Sequence, residues 1–76
     1  MKEVLETIIK TLVSNPDDIS INQIDGEQSV IFEVKVADED MGKVIGKQGV
    51  IAKSIRSIMK AVAAKENKRV TIEFLD

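Results

Sequence analysis

Cysteine and histidine are both absent from this 76-residue chain. Their absence removes disulfides, thiol nucleophiles, serine–histidine and cysteine–histidine catalytic pairs, and the common zinc sites. A domain this small must hold itself together through its apolar core or with help from a partner subunit. Tryptophan and tyrosine are missing too, and the only aromatics, Phe32 and Phe74, fall where strands should point them inward. No platform of exposed aromatics for stacking nucleotide bases is therefore expected. Apolar runs last only a few residues, too short to cross a bilayer. Met1-Lys2-Glu3-Val4 has neither the apolar run nor the cleavage site of a signal peptide. A cysteine-free chain suits a reducing compartment, so a cytoplasmic location is expected. Repeats, low-complexity tracts and linkers are also lacking, and residues 1–76 read as one domain.

What the chain does contain is unevenly placed charge. Its net charge of −2 argues against a polyanion ligand if taken alone. Yet Met41 to Lys65 holds six basic residues (Lys43, Lys47, Lys53, Arg56, Lys60 and Lys65) and no acid, leaving all 13 acids for the remainder. A segregated field of this kind steers a polyanion to one face.

Periodicity gives the elements. Val4, Leu5, Ile8, Ile9, Leu12 and Val13 form a helical stripe that Ser14-Asn15-Pro16 ends, because the residue before proline leaves helical geometry. Ile19, Ile21 and Ile24 nearly alternate, Asp25-Gly26 signals a tight turn, and Val30, Phe32, Val34 and Val36 recur at period two. These runs predict a hairpin, with a bulge near Asn22-Gln23 where the spacing changes parity. Asp38-Glu39-Asp40 and Asp17-Asp18 are read as caps at element starts rather than as paired catalytic carboxylates. A short helix follows and stops at Gly46. A longer one starts near Gly49-Val50, with Ile51, Ile55, Ile58 and Val62 on one face and Lys53, Arg56 and Lys60 on another. Val70, Ile72 and Phe74 predict a last strand. Two helices between the second and third strands are long enough for a crossover, so an α+β fold is expected, with a three-stranded sheet covered on one face by three helices.

Between the two later helices lies Gly46-Lys47-Gln48-Gly49. Glycines at both ends permit a sharp turn and leave no Cβ to hold off a ligand backbone. The helix that starts there aims its amides and positive dipole end at the same place, and Lys47 adds a mobile charge. Such a corner can clamp phosphate without reading bases. An isolated Gly-x-x-Gly also describes a plain helix stop followed by a helix start, and the basic stripe alone also describes a solvated face. Gly42 to Gln48 is too short for a nucleotide-binding P-loop and lacks its magnesium-binding hydroxyl. Nor is Gly42-x-x-x-Gly46 a membrane dimer motif in such charged surroundings. No nucleophile–base pair, metal cluster or cofactor motif is present, so no enzyme, metal site or cofactor is expected.

Gly42-Lys43-Val44-Ile45-Gly46-Lys47-Gln48-Gly49 followed by Ile51-Ala52-Lys53-Ser54-Ile55-Arg56 resembles the signature of KH domains, and more narrowly the small bacterial single-KH proteins of the KhpA type. The likeness spans essentially the whole chain, and the element order matches the type II KH topology αββααβ. It implies a groove for about four nucleotides of single-stranded RNA, with the loop against the sugar–phosphate backbone. Carried over by position, Gly46, Lys47, Gln48 and Gly49 are that loop, with Lys43 beside it. Ile45 and Ile51 line the groove floor, although their spacing equally fits the core, and Lys53 and Arg56 lie near the rim. Relatives often carry a basic residue just after the second glycine, where this chain has Val50, and that departure implies weaker binding. The resemblance further implies an RNA chaperone or post-transcriptional regulator that dimerises or joins a larger KH-containing RNA-binding partner. The alternative is an adaptor whose main ligand is another protein, using apolar surface on the first helix and at Leu75.

Overall fold

The computed structural model describes residues 1–76. Helix α1 (Lys2–Leu12) buries Leu5 and Ile9, with Ile8 and Leu12 half-buried beside them, as the stripe requires. Glu6 and Lys10 form an i,i+4 pair at 3.3 Å on its outer side. Val13 is extended, and after it Pro16–Asp18 makes one 3-10 turn.

Strands β1 (Ser20–Asp25) and β2 (Ser29–Lys35) then pair antiparallel, closed by a bond of 2.8 Å from the Gly26 amide to the Ser29 carbonyl. The turn proper is Glu27-Gln28, just beyond the predicted Asp25-Gly26. The predicted bulge does not form, because the register runs unbroken from Ser20↔Lys35 to Asp25↔Val30. Ile24 sits opposite Ile31 on the sheet face turned away from the helices, which accounts for the change of parity without an extra residue.

Asp38–Asp40 forms a second 3-10 turn that leads into α2 (Met41–Ile45). Beyond the loop, α3 (Val50–Lys65) crosses back over the sheet. Its end is a Schellman cap: Asn67 takes φ 57°, its amide bonds to the Ala64 carbonyl at 3.1 Å, and the Lys68 amide bonds to that of Ala63 at 3.0 Å. This cap redirects the chain into β3 (Arg69–Phe74), which pairs parallel to β2, giving the mixed sheet order β1-β2-β3.

One core joins the layers: Val30, Phe32, Val34 and Ile72 from the sheet meet Leu5, Ile9, Val44, Ile55 and Met59 from the helices. The buried face of α3 is Ala52, Ile55, Met59 and Ala63, which keeps the predicted Ile55 but takes the next residue along in place of Ile51, Ile58 and Val62. Ile51 and Val62 lie half-buried at its flank, and Ile58 is 47% exposed. Two alanines, Ala52 and Ala63, thus share the inner face with Ile55 and Met59, while the other isoleucines lie at its flank or outside.

Neither acidic cluster caps its turn with a side chain. Asp17 and Asp18 are simply exposed, whereas Asp40 is fully buried and bonds elsewhere. No helix is long and apolar enough to cross a membrane.

Candidate nucleic-acid interface

The loop between α2 and α3 is built from unusual backbone. Gly46 adopts φ 75°, ψ 175°, and Gly49 adopts φ 75°, ψ 16°. Gln48 between them is also left-handed, at φ 57°, ψ 24°. That conformation is disfavoured for a side chain with a Cβ and persists only where its surroundings hold it. The Gly46 amide closes α2 on the Gly42 carbonyl at 2.9 Å, and the Gly49 amide returns to the Gly46 carbonyl at 3.2 Å. The Val50 amide donates to the Lys47 carbonyl. The turn thus uses the Gly49 and Val50 amides internally, which the sequence alone expects to be free for a ligand.

Lys47 and Gln48 both stand exposed at the tip. No neighbour outside the turn lies within 4 Å of where a Gly49 Cβ would be, so the chain there is bare to an approaching ligand. Gly46 is different: a Cβ on it would fall 2.6 Å from Ile51 Cγ1. Ile51 therefore packs directly on the loop backbone. Ile45 and Ile51 are half-buried and rest against the core, so each serves packing while keeping an outer edge. Val50 is 59% exposed beside the loop.

Lys53, Arg56 and Lys60 project from the exposed flank of α3. Arg56 reaches across to β3, where its Nε donates to the Ile72 carbonyl at 3.2 Å and its guanidinium lies 5.4 Å from the centre of the Phe74 ring. The Arg69 and Leu75 amides donate to Gln28 and Val34, on the β2 side. Backbone groups of Val70, Ile72 and Phe74 consequently face the free edge of the sheet. Arg56 thus links the basic flank of α3 to the free edge of β3.

Lys43 turns toward the elbow after α1. Its Nζ lies 3.2 Å from Asp40 Oδ1 and also bonds Ser14 Oγ. Asp40 is the residue that the sequence reading missed. Its carboxylate accepts from the Ser14 amide at 3.0 Å, the Asn15 amide at 3.0 Å and Asn15 Nδ2 at 3.1 Å. Burial alone would raise the pKa of this carboxyl, but bonds from the Ser14 amide, the Asn15 side chain and amide, and Lys43 outweigh it and hold the value at about 2. An acid in an acidic triplet reads locally as a cap, and nothing in its own neighbourhood announces partners 25 and 26 residues away.

A cavity of 310 Å³ opens between α1 and β1, lined by Lys2, Glu6, Lys10, Pro16, Ile19 and Ile21. None of the expected site residues reaches it.

A helix–loop–helix with a Gly-x-x-Gly corner, inserted between two parallel strands of an αββααβ fold, defines a type II KH domain. Comparison with known proteins narrows the class. Residues 2–74 match the family model for the KhpA/KhpB KH domain, and the chain belongs to that family. It is 61% identical over 75 residues to the RNA-binding protein KhpA of Clostridium acetobutylicum, covering 99% of this chain and 100% of that one. Against the RNA-binding protein KhpA of Clostridium perfringens the identity is 57%, with the same coverage. Against that of Borreliella burgdorferi it is 47% over 74 residues, covering 97% of this chain and 90% of the relative.

Proposed function

We propose that this chain is a non-catalytic RNA-binding protein that grips about four nucleotides of single-stranded RNA beside Gly46-Lys47-Gln48-Gly49. The observation that carries the reading is the bare, left-handed turn presenting Lys47 and Gln48 next to the basic flank of α3. The sugar–phosphate chain runs along the loop, while the bases turn toward Ile45, Ile51 and the gap spanned by Arg56. Lys53 adds charge at the rim. The names of the relatives favour the same ligand, and none points to catalysis.

A corner that engages so few phosphates binds weakly in one copy, with a shallow salt dependence. Useful affinity then comes from a homodimer or from a larger KH-containing partner, through effective concentration. Such a module acts as an RNA chaperone or post-transcriptional regulator in the cytoplasm. Replacing Lys47 and Gln48 together by aspartate should abolish crosslinking to single-stranded RNA and leave the circular dichroism spectrum unchanged. Undiminished crosslinking by the folded variant would refute the reading.

A protein-binding adaptor is the second reading, favoured by the exposure of Val4 (38%), Ile58 (47%) and Leu75 (39%). It predicts capture of a protein partner by a sample that crosslinks to no RNA.

A further inference from the structure

We infer that Asp40 is a positioning residue for the RNA-gripping loop: its carboxylate latches the elbow after α1 to the start of α2, and Lys43 belongs to that latch rather than to the phosphate contacts. The inference rests on the RNA-binding reading above and extends it to residues outside the loop.

Asp40 is the one buried charged residue of the chain. A buried carboxylate is tolerated only when its oxygens are fully bonded, and removal of its partners is strongly destabilising. Here Oδ1 takes the Ser14 amide and Lys43, while Oδ2 takes the amide and side chain of Asn15. Asn15 Nδ2 also bonds Glu39 Oε1 at 2.8 Å, which ties the elbow to the residue before Asp40 as well. No buried side-chain polar atom is left without a partner.

The reason such a latch matters for the loop is the length of α2. At five residues it is too short to keep a fixed axis through its own hydrogen bonds. Its direction is set by what holds it from outside, namely Val44 in the core, Ile51 against Gly46 at the far end, and Asp40 at the near end. Freed at Asp40, α2 can pivot about Val44, and the pivot moves the loop. Lys43 directs its ammonium to Asp40 and Ser14. It therefore contributes orientation and not a phosphate contact.

The test compares wild type with Asp40→Asn, Lys43→Gln and Lys47→Gln. Each would be titrated against a fluorescent single-stranded RNA of randomised sequence across a range of salt, and the amide signals of Gly46 to Gly49 recorded in the RNA-free protein. In Asp40→Asn that is folded by circular dichroism, affinity should fall about tenfold, the equivalent of about 1.4 kcal/mol. Its salt slope should match wild type, and the loop amide signals should be displaced. Lys43→Gln should likewise weaken binding with an unchanged slope, whereas Lys47→Gln should flatten the slope by about 0.7, the value for one single-strand phosphate contact. A merely structural acid would lower stability but leave the affinity and loop signals of the folded protein alone. That result would overturn the inference, as would a Lys43→Gln slope flattened like that of Lys47→Gln. If Asp40→Asn does not fold, Asn15→Ala removes only the side-chain links and should displace the same loop signals. Wild type that retains no RNA would instead sink the functional reading, leaving the loop signals to decide the latch.

Discussion

The two glycines of the loop are not equivalent, and Gly46→Ala against Gly49→Ala exposes the difference. At Gly46, φ 75° with ψ 175° is a combination essentially reserved for glycine, and any other residue held there costs about 1–3 kcal/mol. The new methyl would also lie 2.6 Å from Ile51 Cγ1 and 3.0 Å from its Cβ. Those atoms belong to a β-branched residue on a helix and have little freedom to move, so overpacking adds about 1–3 kcal/mol. Alanine's loss of unfolded-state freedom returns only about 0.4–1 kcal/mol. The net expectation for Gly46→Ala is a loss of about 3 kcal/mol. Gly49 at φ 75°, ψ 16° has open space where a Cβ would sit, so only the left-handed penalty applies and the net loss is about 1 kcal/mol. A domain of this length has roughly 4–11 kcal/mol in total, so the first substitution removes a large share and the second a small one. Urea unfolding separates them: with a slope of about 1 kcal/mol/M, the midpoints should fall by about 3 M and about 1 M. Adding Ile51→Ala to Gly46→Ala should recover about 1 kcal/mol as coupling between the two sites. Equal losses for the two glycines, or no coupling to Ile51, would refute the packing argument.

The pKa of Asp40, held at about 2 against an ordinary 3.8, lies below its unfolded value. The stability it contributes is complete above about pH 4 and disappears as pH falls toward about 2, so urea midpoints measured through that window should drop less steeply in Asp40→Asn than in wild type. Lys43 and Glu39 are the charged groups facing this site, and Lys43→Gln should shift the drop to higher pH. Arg56→Lys keeps the charge but loses the planar group that bonds Ile72 and lies over Phe74; a loss of about 1 kcal/mol should lower the Tm by about 4–8 °C in a calorimetric scan. Val50 is 59% exposed beside the loop, so Val50→Arg should tighten RNA binding and steepen its salt slope by about 0.7, with stability changed by less than about 0.5 kcal/mol.

Element order was legible because each element announces itself locally. Leu5 and Ile9 repeat at helical spacing, Val30, Phe32 and Val34 alternate, and Gly46 and Gly49 punctuate two helices. What depends on contacts distant in sequence was less readable. The parity change at Ile24 looks the same whether the strand bulges or an apolar residue pairs across the open face, and only the partner strand decides. On α3 the isoleucine spacing picks out Ile55 correctly, but Ala52, Met59 and Ala63 fill the rest of the inner face, a choice that only the packing against sheet and helices decides. Within the site, Lys47 and Gln48 were readable from the glycines beside them. The resemblance sets Lys43 beside them, yet its charge turns to Asp40 at the start of α2 and to Ser14 in the elbow after α1.

The parallel pairing of β3 with β2 also has a consequence in time. Strand β3 can dock only after everything between Lys35 and Arg69 has been threaded over the sheet, and closing so large a loop makes this a late event in folding. The Gly46–Gly49 corner lies inside that crossover. Its two helices are held by local bonds, but their seat on the sheet is complete only when Arg69–Phe74 pair beside Ser29–Val34.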